Sequence, residues 1–307
     1  MFKKYLLILI MLSFFILPVV SATCETIIDT YYVNDNGSTG CPGYNYSTIN
    51  NAILAHPSCA RIFICDGTYN EDVSLGISNS SLILEGEAEG EVTINGISNS
   101  SVVNMHNTED IYLKNLVLNS TKNYGIGVNL SDDVVIENIE LSMSNNSYAT
   151  GIYVYGSNNL EFKGNILIDG VESTNTNYDV KGVGFSQSSA TINTDSFEIR
   201  NISGASTKFE GFTSGLYVND SDLEINSGLK IWSLLSNNSL VHGIYIEQNS
   251  NVNFNSDLNI GIIMSPKIKS IKISSSEVNF TGPVSITTLM CTSSVNMGVE
   301  ISSDSDV

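Results

Sequence analysis

Apolar and polar residues alternate with a period of two through most of the chain, in short runs that recur. Seven segments open alike: GIGV at Gly125, GIYV at Gly151, GVGF at Gly182, GLYV at Gly215, GIYI at Gly243, SIKI at Ser270 and GVEI at Gly298. The intervals between them are 26, 31, 33, 28, 27 and 28 residues. Within each unit three alternating runs follow at nearly constant offsets. In the Gly151 unit they are Ile152/Val154, Leu160/Phe162 and Ile166/Ile168, and in the Gly243 unit Ile244/Ile246, Val252/Phe254 and Leu258/Ile260. The Gly215 unit repeats the scheme with Leu216/Val218, Leu223/Ile225 and Leu229/Ile231.

A period of two marks a strand with one buried face. Three strands per unit with no helical run between them exclude βαβ units, and propeller blades need four strands in a longer repeat. The pattern predicts an all-β, parallel β-helix in which each unit is one triangular coil. Coils stack about 4.8 Å apart, and equivalent side chains form ladders along the axis. Ile126, Ile152, Val183, Leu216, Ile244, Ile271 and Val299 form one predicted interior ladder. A single coil buries too little to offset its ordering entropy, so stacking is obligatory. Right-handed winding is expected, as for parallel crossovers in general.

The stretch RIFICDGTYNEDVSL at Arg61–Leu75 enters this scheme. Ile62 and Ile64 read as one strand, Asp66-Gly67 as a corner, and Val73 and Leu75 as the next strand; Asp66 is therefore a turn residue. Upstream, Ser47 is the predicted N-cap of a short helix over TINNAILAH, with Ile49, Ala52 and Ile53 on one face and Pro57 beyond its end. That helix is expected to cover the open end of the core, as a cap spanning 23–60 ahead of the β-helix proper, 61–307.

Residues 1–22 carry Lys3 and Lys4, an apolar run to Val20 and the small residues Ser21 and Ala22, which is the pattern of a secretory signal peptide. The alternatives are an uncleaved anchor or a lipoprotein signal ending at Cys24. The chain has a net charge of −19, or −21 once the two leader lysines are removed. Such a surface repels phosphates and so excludes nucleic acid and anionic lipid as partners. Membrane contact is expected only through an anchor outside this sequence.

Cys24, Cys41, Cys59 and Cys65 fall in the first quarter of the chain and Cys291 near its end. In an oxidising compartment the early four are expected to form two disulfides in one of three pairings, stapling the cap. A zinc site is the rival reading, although the paired short spacings of a finger or ribbon are missing. Eleven N-x-[ST] sequons, at Asn36, Asn45, Asn79, Asn99, Asn119, Asn129, Asn145, Asn201, Asn219, Asn237 and Asn279, permit surface glycosylation.

The combination STINNAI…RIFICDGTYNEDV followed by such coils resembles the start of right-handed parallel β-helix proteins of the pectin-lyase-like superfamily. It is especially similar to exported, adhesin-like repeat proteins. The resemblance covers the mature chain and implies the fold. It does not single out an activity, because the superfamily holds polysaccharide lyases, hydrolases, esterases and proteins without known chemistry.

Fragments of the polygalacturonase pattern are present: Asn193-Thr194-Asp195, Asp220 and Asp222, His242-Gly243, and Lys267-Ile268-Lys269. They occupy different phases of the repeat and are expected on different sides of the coil, whereas acid–base hydrolysis needs two carboxylates about 5–10 Å apart. A pectate-lyase-like site needs carboxylates on Ca²⁺ and a basic residue; Arg200 is the coil arginine, and the family's W-I-D-H and R-x-P-x-x-R runs are missing. The esterase G-x-x-D-F-I-F-G run is missing as well. His56, His106 and His242 are scattered, so neither a metal cluster nor a cofactor is implied. Asp132-Asp133 at a corner is the one candidate contact for Ca²⁺.

Tyr153, Tyr217 and Tyr245 lie out of phase with the interior ladder and are expected to stack outward as an exposed aromatic row for ligand contact. The variable segments Asp169–Lys181, Arg200–Ser214 and Trp232–His242 are expected loops, rich in Ser, Asn, Thr and Gly. The chain ends after the first strand of a coil, from which a longer natural product is expected. Together these features predict an exported or cell-surface β-helix that binds extracellular glycans or surface proteins without catalysis. The alternatives are a lyase or hydrolase of acidic polysaccharides, and a structural envelope component.

Overall fold

The computed structural model describes residues 24, 29–34, 41, 45–88, 91–97, 101–120, 123–144, 149–174, 178–205, 211–237, 239–287, 289–302 and 305–307. The leader and the sequons Asn36, Asn99 and Asn145 lie outside them. Among the described residues every ladder between neighbouring coils is parallel, so the chain is an all-β parallel β-helix. Sheet A gathers the strands that open each unit, such as Tyr124–Asn129, Ala149–Tyr155, Val180–Ser186, Phe212–Asn219 and Leu240–Glu247. Sheet B follows in the first half of the long strands Glu109–Ser120, Asp132–Met143 and Leu160–Asp169, and sheet C in their second half after a corner; in the last coils the two are separate strands, such as Asp222–Ile225 and Leu229–Ser236. Asn115 and Asn138, both in the left-handed region, make that corner in Glu109–Ser120 and Asp132–Met143.

The expected interior ladder is present in register: Ile126, Ile152, Val183, Leu216, Ile244, Ile271 and Val299 are successive partners in sheet A. All but Val299, on the last coil, are buried. The glycines that open the units from Gly125 to Gly243 have a packing cause, which Gly298 on the last coil does not share. A Cβ on Gly151 would fall 2.5 Å from the Gly182 carbonyl oxygen and 2.7 Å from Ile168 Cγ2 of sheet C, and Gly215 and Gly243 face the same obstruction from the next coil. The position points inward at a corner where two sheets and the neighbouring backbone converge.

Two further ladders hold the coils in register. At the corner between sheets A and B, the buried Ser131, Ser157, Ser188 and Ser221 each accept a backbone N–H from the preceding coil, at 3.0–3.2 Å. Each hydroxyl also donates to the carbonyl two residues before it. Along the outside, Asn193, Asn226 and Asn255 pass amide hydrogen bonds from coil to coil.

The coil is triangular only at first. From Glu172 a fourth short side appears, in which Ser203, Leu235, Met264 and Met290 follow one another in register. The expected loops Arg200–Ser214 and Trp232–His242 therefore begin as strand, within Ser189–Gly204 and Leu229–Ser236. The apolar residues Ile202, Leu234 and Ile263 are fully buried there, and their inward row extends the core around an added corner.

The cap differs from expectation in its details. Helix α1 (Ile49–Ala55) buries Ile49, Ala52 and Ile53 as predicted, but its N-cap is Thr48, whose side chain accepts from Asn51 N, and not Ser47. The N-terminal amides of α1 are taken by Glu71: Oε1 accepts from Ile49 N at 2.7 Å and Oε2 from Asn50 N at 3.0 Å. Asp66 and Asp72 likewise accept the backbone N–H of Glu91 and Ile97. The acidic cluster of the Arg61–Leu75 stretch is thus a set of backbone acceptors. A strand within the cap, Asp29–Val33, pairs with Ser58–Ile64 and closes the end of the core. Cys24 pairs with Cys59 and Cys41 with Cys65, selecting one of the three pairings over zinc. Cys291 forms no disulfide; its Sγ donates to the Pro266 carbonyl.

Candidate functional site

The outer side of sheet A collects the side chains with the most perturbed surroundings. Two rows run along it. Tyr124, Thr150, Lys181, Ser214, His242 and Lys269 succeed one another in register, and beside them run Tyr153, Gly184, Tyr217, Tyr245 and Lys272. The three predicted tyrosines do share the second row, and they project outward. The row is not continuous, because Gly184 separates Tyr153 from Tyr217. Nor is it uniformly exposed: Tyr153 and Tyr217 are half-buried and Tyr245 is 9% exposed, covered by Phe212 and its neighbours.

Lys181 fills the gap that Gly184 leaves. A Cβ on Gly184 would meet Lys181 Cδ at 3.5 Å and the Tyr153 ring at 3.6 Å, so the lysine stem lies across the glycine. Its ammonium ends 3.8 Å from the centre of the Tyr217 ring and 5.3 Å from that of Phe212. Burial lowers the Lys181 pKa from its ordinary value, against the opposing attraction of Asp179 and Glu247. Tyr153 in turn stacks on Tyr124 at 5.3 Å. Along the axis the two stacked rings are thus followed by the Lys181 cation, and this in turn by Tyr217 and Tyr245.

Beyond Tyr217, Glu247, Tyr245 and Lys272 bond to one another, whereas the buried His242 Nδ1 has no hydrogen-bond partner. Glu247 Oε1 accepts from Tyr217 Oη at 2.6 Å, Glu247 Oε2 accepts from Tyr245 Oη, and Lys272 Nζ donates to Tyr245 Oη at 2.9 Å. Burial first, and the Glu247 carboxylate second, push the Tyr217 phenol far above its usual range. His242, 1% exposed, lies between Tyr245 and Phe212. Burial, reinforced by Lys272 and Lys269, lowers its pKa to about 3, so its imidazole is neutral.

The remaining candidates stay apart. Asp195 falls at the irregularity between the sheet B and sheet C parts of its strand, Asp220 at the left-handed corner after sheet A, and Asp222 at the start of a sheet B strand. Asp132 and Asp133 accept from Asn158 and Asn159 of the next coil. Among the described residues no three His, Cys, Asp or Glu side chains gather as a metal ion would need. Arg200 is paired with Asp169 at 2.9 Å, which raises its pKa, and lies 3.7 Å from Glu198. Lys181, Phe212 and Glu247 were not singled out in the sequence. Lys181 immediately precedes a repeat glycine, but the rings its ammonium meets, Phe212 and Tyr217, lie 31 and 36 residues further on.

Of the described sequons, Asn45, Asn119, Asn201, Asn237 and Asn279 are exposed, and Asn129 and Asn219 are half-buried. Asn79 departs from the expectation of a surface glycan: it is 6% exposed, and its Nδ2 donates to the Pro57 carbonyl.

No family model and no curated protein matches the chain. Solved structures with some likeness include the pectin methylesterase of Aspergillus niger in deglycosylated form, at 13% identity over 90% of this chain and 84% of that one, TM-score 0.35. The same enzyme with an N-acetylglucosamine stub gives 13% identity, 86% and 85% coverage and TM-score 0.35. The Escherichia coli protein YbhC gives 12%, 77%, 76% and 0.32. The fold assignment rests on the strand register above, and no activity is carried over from these likenesses.

Proposed function

We propose that the protein is an extracellular, non-catalytic β-helix that holds a glycan or a surface protein against the outer side of sheet A, over Tyr124, Tyr153, Lys181 and Tyr217. The observation that carries this reading is the position of Lys181, its stem on Gly184 and its amine on the Tyr217 ring. Half-buried ring faces with an interposed cation suit the apolar faces of sugars and the acidic groups some of them bear. Of the neighbouring acid and base, Glu247 holds two phenols and His242 is covered and neutral. An extracellular setting agrees with two disulfides and the leader pattern.

The test is calorimetric titration with neutral and uronic-acid oligosaccharides, with product formation followed in the same samples. Saturable binding without products is expected. Lys181→Met should weaken binding of the acidic ligands about tenfold or more, the loss of one charge-assisted contact. Binding untouched by both Lys181→Met and Tyr153→Ala would move the site elsewhere.

A second reading, a lyase or hydrolase of acidic polysaccharides, is favoured by the lowered pKa of Lys181, which brings an amine closer to the range in which it accepts a proton. Turnover that disappears in Lys181→Met would establish it and remove the first.

A further inference from the structure

On the fourth side of the coils Leu235, Met264 and Met290 stand in register and are 38%, 43% and 49% exposed. They line a groove of about 560 Å³, completed by Pro266, small serines and Asn237. No charged residue lines it, on a chain of net charge −19. Isolated exposed apolar side chains are ordinary, whereas here three stand side by side in one uncharged groove, which suits contact with a weakly polar group.

The residue at its edge identifies the cover. Asn237-Asn238-Ser239 is a sequon, and Asn237 is exposed. The amides of Asn119, Asn201, Asn219 and Asn279 are donors in hydrogen bonds to the adjoining coil; among the described residues those of Asn45, Asn129 and Asn237 are not, and of these three Asn237 is the one that lines the apolar groove. We propose that Asn237 carries an N-linked oligosaccharide whose first sugars lie in this groove, over Leu235, Met264 and Met290.

The attachment joins Asn237 Nδ2 to the anomeric carbon of an oligosaccharide carried on a lipid phosphate. The anomeric C–O bond breaks, the phosphate leaves with the electron pair, and one Nδ2 proton is released. A neutral sugar suits a groove without charges, its C–H faces meeting the apolar row; the hydroxyls of Ser236 and Ser265 are buried and bonded to Ser239, so the contact is chiefly apolar. A second copy of the chain would suit it less well, because each copy brings the same large negative charge. This inference is independent of the sheet A site.

The experiment is glycopeptide mapping of protein purified from the cells that make it, followed by comparison with Asn237→Gln. The peptide holding Asn237 is expected to be glycosylated. Loss of the glycan is expected to raise the fluorescence of an apolar-surface dye several-fold, and adding Leu235→Ser and Met264→Gln should abolish that rise. Enzymatic deglycosylation of the folded wild type should give the same rise without a substitution. An unmodified Asn237 overturns the inference, as does a modified one whose removal leaves dye binding unchanged. A dimer formed through this groove by unmodified protein also overturns it and assigns the row to a second copy.

Discussion

Tyr217 and Glu247, 30 residues apart in the chain, meet across one coil boundary with the phenol 2.6 Å from Oε1 of the carboxylate. Burial, and after it this bond, keeps Tyr217 protonated well above its ordinary range. A pKa raised in the folded state contributes stability that is present below the unfolded value, 10.0, and is lost as pH rises beyond it. Glu247→Gln should therefore lower the tyrosinate titration seen by ultraviolet difference spectra and flatten the alkaline fall in urea midpoint. Identical curves for both proteins would show that the carboxylate does not govern the phenol.

His242 produces the opposite slope. Its imidazole is neutral in the fold, with a pKa of about 3 against 6.5 when free. As pH falls through 6.5 the unfolded chain takes up a proton that the folded chain does not, so stability declines from there toward pH 3. Replacing the ring by glutamine should remove this part of the acid slope, measured as unfolding midpoint against pH. A slope unchanged in the variant would mean that the imidazole is not held neutral.

Two glycines on neighbouring strands should respond differently to a methyl group. Gly151→Ala drives a Cβ into the Gly182 carbonyl and Ile168, and overpacking of this kind costs about 1–3 kcal/mol. Gly184→Ala meets Lys181 and Tyr153 at ordinary van der Waals distances, so its effect should lie within about 0.5 kcal/mol of zero. Chemical denaturation compares them directly, and equal losses would refute the obstruction argument.

Ser188→Ala removes a rung of the corner ladder. The Ser157 amide loses its acceptor in a buried site, and the Ser186 carbonyl loses one of two donors, keeping the Gly156 N–H. A cost of about 1–3 kcal/mol is expected, with faster amide exchange at Ser157. Exchange rising elsewhere but not at Ser157 would contradict the assignment.

The coil register was legible in the sequence because it depends on a period of two and a recurring motif, both local properties. The inward ladder from Ile126 to Val299 could be written down residue by residue, and so could the buried face of α1. The opening glycine was visible as a repeat, but not its reason, since the atoms it avoids belong to Ile168 and Gly182. The serine ladder was equally present as a recurring Ser at the first corner, and went unread because a small polar residue at a turn looks like any other.

What side chains do once the coils stack lay beyond any such pattern. Alternation assigns Tyr245 to the outside and says nothing of Phe212, which folds over it from a segment 33 residues earlier. Whether an outward residue meets water or another side chain depends on contacts between coils and on how the intervening segments return, and these are set by distances in space. Winding thus followed from the one-dimensional order of apolar residues, while the exposure, charge state and pairing of Lys181, Tyr217, His242 and Glu247 were decided only by the stacked structure.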